Sequence, residues 1–142
     1  MTRLSLAQAN AIISAGLEKG RALGLKPLGI AVLDPGGHLI AFGREDGAST
    51  LRPQIAIAKA AGALSLGMSS RKIGEMAADR PTFVGTLATI APGGLLPAAG
   101  GVIVVDGGGD PIGAVGVTGD TSDNDELCAL AGIEAAGLTA AA

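Results

Sequence analysis

Residues 28–42 read LGIAVLDPGGHLIAF, which is two apolar runs separated by turn residues. Proline presets φ at the second position of a turn, and glycine permits a positive φ at the third. The segment Asp34-Pro35-Gly36-Gly37 therefore predicts a β-hairpin made from the two runs. His38, the only histidine of the chain, directly follows this turn.

A second hairpin is predicted further along the chain. Residues 102–105 and 112–117 are apolar, and the segment 106–110 between them reads DGGGD. Both hairpins contain the pattern Val-x-Asp-x-Gly-Gly. We interpret this similarity as common turn chemistry rather than as a duplication of the chain.

Helical patterns begin and end the chain. Ser5, with Gln8 three residues later, is a capping-box pattern, and apolar residues at helical spacing then continue towards a stop near Gly24. Ser122, with Asp125 three residues later, is predicted to cap a final helix that continues to about residue 138.

The region between the hairpins is predicted to hold two more helices. One begins near Pro53 and runs to about residue 66, and the next begins at Ser69 or Ser70 and ends before Pro81. Residues 81–101 are rich in Gly, Pro, Ala and Thr, which predicts an irregular connection with a short strand within 83–90.

The order of these elements predicts the fold class. Hairpins joined by helices favour an α+β domain, with a single antiparallel β-sheet built from hairpins and flanking α-helices. A chain of 142 residues has the length of one domain, so residues 1–142 are predicted to form a single unit.

Composition narrows the class of protein. Hydrophobic residues make up 48% of the chain but only two residues, Phe42 and Phe83, are aromatic, so we expect an aliphatic core. The high apolar content also predicts a homo-oligomer, because subunits would cover apolar surface. Cys128 is the single cysteine, which excludes an internal disulfide and a multi-cysteine metal site.

Charge and hydropathy argue against two kinds of partner. The net charge is −3 and basic residues are scattered, so we expect no nucleic-acid binding. No apolar run approaches the ~20 residues of a membrane span, so we expect no membrane insertion. The N-terminal residues lack the apolar segment of a signal peptide, which predicts a cytoplasmic location.

Charged residues near the first hairpin are the main candidates for a site. Arg44 and Asp46 follow the second strand, and Lys59 lies in the apolar context IAIAKAAGA. A buried ammonium needs a partner, and either Asp46 or Asp125 would serve. Lys59 is therefore predicted to be held in a structural ion pair or to face a ligand.

Other candidate site residues allow both a purely structural interpretation and a functional one. His38 is interpreted first as a surface residue of the hairpin and second as a haem or metal ligand. Gly113, Gly116 and Gly119 indicate either tight helix–sheet packing or amides exposed to an anionic ligand. The acidic residues 120–126 favour capping of a helix N-terminus over a metal site.

The order and spacing of several short segments resemble the GlcG/HbpS-like family, whose members are described as haem-degrading or haem-binding and also form the C-terminal domain of PduO-type cobalamin adenosyltransferases. The resemblance covers nearly the whole chain. It rests on these segments: 31–39 (AVLDPGGHL), 44–48 (REDGA), 58–60 (AKA), 100–101, 106–107, 112–119 (IGAVGVTG) and 124–126 (NDE).

The resemblance implies an antiparallel sheet flanked by helices, with profilin-like or PAS-like layering, assembled into compact homo-oligomers. Some relatives bind haem or corrinoids, and many are encoded beside enzymes of small-acid catabolism. Glu45 stands where family members often have methionine, and the residues that ligate haem vary within the family. The cofactor therefore stays unknown, with haem as one candidate and His38 as its candidate axial ligand.

Three functions follow as hypotheses. The first is a binding protein for haem, another tetrapyrrole or a small carboxylate. The second is a small cofactor-independent isomerase, lyase or hydratase acting on a hydroxy or keto acid, and the third is an accessory protein that assembles a partner. The candidate ligand-binding residues are Arg44, Asp46, Lys59, Gly100, Gly101, Thr118 and Gly119, and the candidate catalytic residues are Lys59, Asp125 and Glu126.

Overall fold

The computed structural model describes residues 2–142. This part of the chain has five helices and five strands. In chain order they are α1 (Leu6–Ala22), β1 (Gly29–Leu33), β2 (Leu39–Arg44), α2 (Arg52–Leu66), α3 (Ser70–Asp79), α4 (Pro81–Leu87), β3 (Gly101–Val105), β4 (Pro111–Thr118), α5 (Ser122–Ala135) and β5 (Thr139–Ala140).

The strands form one antiparallel sheet in the order β2-β1-β4-β3-β5. Gly29 of β1 lies opposite Arg44 on one side and opposite Thr118 on the other. The predicted fold class, an α+β domain with a single antiparallel sheet and flanking helices, is confirmed. None of the helices in residues 2–142 is long and apolar enough to cross a membrane.

The two faces of the sheet carry different helices. Ile30 and Val32 of β1 belong to the main core with residues of α1 and α5, whereas Leu33 packs with Ala60 and Ala61 of α2. Side chains alternate between the faces of a strand, so the continuous apolar run of β1 serves both layers. The result is a sheet between α2 on one face and the α1–α5 pair on the other.

Glycines of β3 and β4 let α2 lie against the sheet. A Cβ atom on Gly116 would overlap the carbonyl oxygen of Ala56, and one on Gly101 would overlap the carbonyl oxygen of Lys59. Ser70 Oγ also accepts a hydrogen bond from the Gly101 amide at 2.7 Å. The tight-packing interpretation therefore accounts for Gly116, whose missing side chain leaves room for the helix backbone.

The two hairpin turns have the same local hydrogen bonds. Asp34 Oδ1 accepts two amides of its own turn at 2.9 and 3.0 Å, and Asp106 Oδ1 accepts two at 2.9 Å. The helices that follow the hairpins, α2 and α5, nevertheless pack on opposite faces of the sheet. This arrangement agrees with common turn chemistry as the origin of the repeated pattern.

Two local predictions were wrong, and one short strand was not predicted. The expected short strand within 83–90 is occupied by α4, whose Val84 and Leu87 pack at helical spacing beside Ile73. The final helix is capped by Thr121, whose side chain accepts the Asn124 amide, rather than by Ser122. Strand β5 was not predicted because two residues carry no periodicity.

Replacing Gly116 by alanine is expected to destabilise the fold by about 3 kcal/mol or more, since the new methyl group meets backbone that cannot move aside easily. Urea unfolding measures this change. The matched control is Gly85→Ala in exposed α4, where nothing lies within 4 Å of the new atom. That control is expected to gain about 0.5–1 kcal/mol from helix propensity, and equal effects of the two substitutions would contradict the packing described here.

Candidate functional site

A buried ion pair joins α2 to α5 at the end of β4. Lys59 Nζ lies 3.1 Å from Asp125 Oδ2 and donates to the Val117 carbonyl oxygen at 2.9 Å. The two side chains are only 3% and 2% exposed. Gly100 lies beside the ammonium, since a Cβ there would be 2.9 Å from Nζ. Of the two partners considered for Lys59, the structure therefore contains Asp125.

Burial and pairing act on Lys59 in opposite directions. Desolvation lowers the pKa of the Lys59 ammonium below its usual 10.5, and the adjacent Asp125 carboxylate opposes this shift. A solvent-excluded lysine with two acceptors in place is held as a structural group. Proton transfer to a substrate would first require the substrate to reach it.

The ion pair also fixes the segment that precedes α5. Asp125 Oδ1 accepts the Asp120 amide at 2.9 Å. Asp120 in turn accepts hydrogen bonds from Asn124 Nδ2 and from the amides of Lys26 and Thr121. These donors, the Asn124 side chain first, lower the pKa of Asp120 to about 2. A chain of charge-assisted hydrogen bonds thus runs from Lys59 to the residues before β1.

A cleft of about 270 Å³ opens next to this fixed segment, lined by Lys26, Arg52, Gly119, Asp120 and Thr121. Arg52 is half-buried, and its Nη1 donates to Thr118 Oγ1 at 2.9 Å. No carboxylate within residues 2–142 lies within 4.0 Å of its guanidinium. The cleft therefore contains a partly desolvated cation whose remaining donors are available to an anion.

Arg44 and Asp46 line a second cleft of about 390 Å³ at the same end of the sheet, together with Glu45 and Arg21. Arg21 Nη1 lies 3.3 Å from Glu45 Oε2. Arg44 and Thr118 lie two strands apart on the same face, a separation of about 10 Å between backbones. The structure thus brings Arg44 near the Arg52 cleft, but no hydrogen bond or ion pair joins Arg44 to Lys59.

Glu126 and His38 lie in other surroundings. Glu126 accepts Arg71 Nε at 3.0 and 3.1 Å, in an exposed pair that links α3 to α5. The His38 side chain is 82% exposed, with Nδ1 3.3 Å from Asp34 Oδ1. It lines a different cleft of about 340 Å³ beside Ala61. No group of three potential metal-ligating His, Cys, Asp or Glu side chains occurs within residues 2–142.

Arg52 and Lys26 were missed by sequence reasoning. Arg52 is the first residue of α2, and a cation is disfavoured at a helix N-terminus because the helix dipole is positive there. The unfavourable position of a cation at this helix end was the local signal that could have indicated a role for Arg52. The role of Lys26 depends on a hydrogen bond to Asp120, 94 residues away, which no local pattern indicates.

Residues 4–134 match the family model described as "Haem degrading protein HbpS-like". The chain belongs to the HbpS-like family. No curated protein matches it. A double mutant of HbpS from Streptomyces reticuli is 31% identical, over 93% of this chain and 86% of that one, with a TM-score of 0.79.

Two further solved structures have the same fold as this HbpS-like chain. The Klebsiella pneumoniae protein ORFY is 26% identical, with a TM-score of 0.86 and coverage of 96% of this chain and 92% of that one. A structure of PduOC in complex with haem also has a TM-score of 0.86, over 99% of both chains, at 19% identity. At that identity the likeness shows the fold alone.

Replacing Lys59 by methionine is expected to destabilise the fold by about 3–5 kcal/mol, because it leaves the Asp125 carboxylate buried without its partner. In the Lys59→Met/Asp125→Leu double variant the loss should be smaller than the sum of the single losses. Urea unfolding of the four proteins gives this comparison.

The matched control for the buried pair is Arg71→Met, which breaks the exposed pairs of Arg71 with Glu126 and Asp123 and should change stability by no more than about 1 kcal/mol. Strictly additive single and double variants, or a Lys59→Met loss as small as that of Arg71→Met, would show that the pair is not energetically coupled.

Proposed function

We propose that this HbpS-like chain binds a small ligand through a carboxylate group held in the Arg52 cleft. The observation that carries the proposal is the half-buried Arg52 guanidinium, which is oriented by Thr118 and has no carboxylate partner in residues 2–142. Hydrogen bonds to charged groups contribute about 1.5–3 kcal/mol, and a guanidinium can bind a carboxylate in a bidentate geometry.

The surroundings of Arg52 support an anionic rather than a neutral ligand. Lys26 lines the same cleft, and Arg44 lies on the same face of the sheet two strands away. The carboxylate of Asp120, the acidic group of the cleft, already accepts hydrogen bonds from three donors. The Asp120 oxygen atoms are therefore engaged by these neutral donors, and no ion pair joins Asp120 to Arg52.

Haem is the ligand that the family description supports, and its propionates suit Arg52 and Arg44. The cleft of about 270 Å³ is smaller than the roughly 300–1,000 Å³ of sites that enclose drug-sized ligands. The cleft has room for a propionate side chain rather than for a whole porphyrin, so a small hydroxy or keto acid fits it equally well. Haem, when bound, would supply redox-active iron, while these residues would hold its carboxylates.

His38 does not belong to the Arg52 site within one chain. It precedes β2, whereas Arg44 ends that strand, and the five steps from Leu39 to Arg44 span about 17 Å. This distance exceeds that from the iron of a haem to its propionates. In this proposal a ligand anchored at Arg52 receives no iron ligand from the same chain's His38.

The binding proposal is preferred over turnover by Lys59 and Asp125. Both side chains are at least 97% buried and bonded to each other, and Glu126 is paired with Arg71. Acid–base chemistry there would require the ion pair to open towards a substrate. Binding at Arg52 requires no such rearrangement.

Arg52→Gln is expected to weaken haemin binding at least about tenfold, because it removes a charge-assisted hydrogen bond to a propionate. Titration followed by the Soret band measures this change, and a thermal-shift panel of hydroxy and keto acids covers the smaller ligands. Haemin dimethyl ester, which lacks free carboxylates, should bind wild type and Arg52→Gln alike.

The matched control is Arg80→Gln, an exposed arginine stacked 3.8 Å from the Phe83 ring, which should leave affinity unchanged. Arg52 is not the anchor if haemin and every acid of the panel bind the wild type and Arg52→Gln with equal affinity. The same conclusion follows if none of these ligands binds to either protein.

A further inference from the structure

The carboxylate of Asp120, on the wall of the Arg52 cleft, carries a further inference. The cleft contains the cations Arg52 and Lys26, and Asp120 is the one acidic residue among the described residues that line it. We infer that the ligand of this cleft is an α-hydroxy acid, whose carboxylate binds Arg52 and whose hydroxyl group donates a hydrogen bond to Asp120. The inference rests on the proposed function and selects one class of ligand among those that an arginine alone would accept.

Asp120 has an acceptor site left for one more donor. An ionised carboxylate offers about four acceptor sites on its two oxygen atoms. Oδ2 accepts the Thr121 amide and Asn124 Nδ2, both at 2.8 Å. From residues 2–142, Oδ1 accepts only the Lys26 amide, at 3.0 Å. One acceptor site of Oδ1 therefore stays available, and Asp120 is partly exposed where it lines the cleft.

Asp120 can accept a hydrogen bond but cannot donate one. The Asn124 side chain and the amides of Lys26 and Thr121 lower the pKa of Asp120 to about 2, so the carboxylate is ionised at neutral pH. A ligand hydroxyl group supplies the donor that this carboxylate can use. The carbonyl oxygen of an α-keto acid in the same place would bring two acceptors together. Sites that hydrogen-bond a ligand hydroxyl group discriminate against analogues that lack it, because their polar groups are then left unpaired.

The two anchoring groups are attached to one short segment of chain. Arg52 Nη1 donates to Thr118 Oγ1 at 2.9 Å, and Asp120 is two residues further along. Two residues span at most about 7 Å. No guanidinium nitrogen of Arg52 lies within 4.0 Å of an Asp120 oxygen, so the two groups leave a gap between them. An α-hydroxy acid has its carboxylate and its hydroxyl group on adjacent carbon atoms and can contact both sides of such a gap.

The charges of the cleft favour a hydroxyl group over an ammonium group as the ligand's donor. Arg52 and Lys26 contribute two positive charges, and Asp120 contributes one negative charge. The single negative charge of an α-hydroxy acid makes this set neutral. The zwitterion of an α-amino acid would leave one positive charge uncompensated and would place its ammonium group near two cations, which repel it.

Four ligands with one carbon skeleton test the inference: lactate, pyruvate, alanine and propionate differ only at the α-carbon. Titrations of the wild type followed by NMR chemical shifts should give lactate an affinity at least about tenfold higher than that of each of the others. Only lactate combines a neutral donor with a single negative charge. Arg52→Gln should weaken the binding of lactate and of pyruvate, since both would lose the anchor of their carboxylate.

Asp120→Asn locates the contact of the hydroxyl group. The asparagine side chain has nearly the same size but can donate to a keto oxygen, so the ratio of lactate to pyruvate affinity should fall at least about fivefold. A merely structural role of Asp120 would lower both affinities and leave this ratio unchanged. Asp123→Asn is the matched control, because that carboxylate is 80% exposed on α5, and it should not alter the ratio.

The outcomes separate this inference from the proposed function. Equal affinities of the wild type for lactate and pyruvate, both reduced in Arg52→Gln, would overturn the α-hydroxy acid and leave Arg52 as the anchor. Tighter binding of alanine, haemin as the single ligand that depends on Arg52, or an unchanged ratio in Asp120→Asn would also overturn it. If no ligand, haemin included, depends on Arg52, the proposed function fails as well. If Asp120→Asn does not fold, the wild-type affinities still decide.

Discussion

The buried Lys59–Asp125 ion pair is the interaction on which the arrangement of this chain depends. Lys59 belongs to the helix on one face of the sheet and Asp125 to a helix on the other, and they meet where β4 ends. Removing one partner of such a pair leaves an uncompensated charge in a low-dielectric interior. The pair therefore constrains the relative placement of both helix layers at this end of the sheet.

The same pair connects the fold to the proposed binding site. Asp125 accepts a hydrogen bond from the Asp120 amide, and Asp120 accepts one from the Lys26 amide. Arg52 donates a hydrogen bond to Thr118 at the end of β4, which orients its guanidinium. A ligand that enters the Arg52 cleft meets groups whose positions are set before it binds. Preorganised groups of this kind lose little conformational entropy on binding, which favours affinity. In the proposal, Lys59 and Asp125 would therefore position the residues that contact the ligand without contacting it themselves.

Local patterns predicted much of the fold because turn chemistry and periodicity act over short distances. The Asp34-Pro35-Gly36-Gly37 turn and the capping box at Ser5 are examples, and the apolar context of Lys59 indicated a buried charge. The cleft was harder to predict, because Arg52, Lys26 and Thr118 meet only through strand register and long-range hydrogen bonds. Of the predicted site residues, Lys59 belongs to the buried ion pair and Arg44 lines the second cleft.

A crystal structure with haemin or a small dicarboxylate bound is the most direct test of the central claim, which is that Arg52 anchors a ligand carboxylate. The account predicts a carboxylate oxygen within about 2.7–2.9 Å of the Arg52 guanidinium nitrogen atoms, with the Lys59–Asp125 pair unchanged beneath it. A ligand bound only elsewhere on the chain, with Arg52 making no contact to it, would contradict the account.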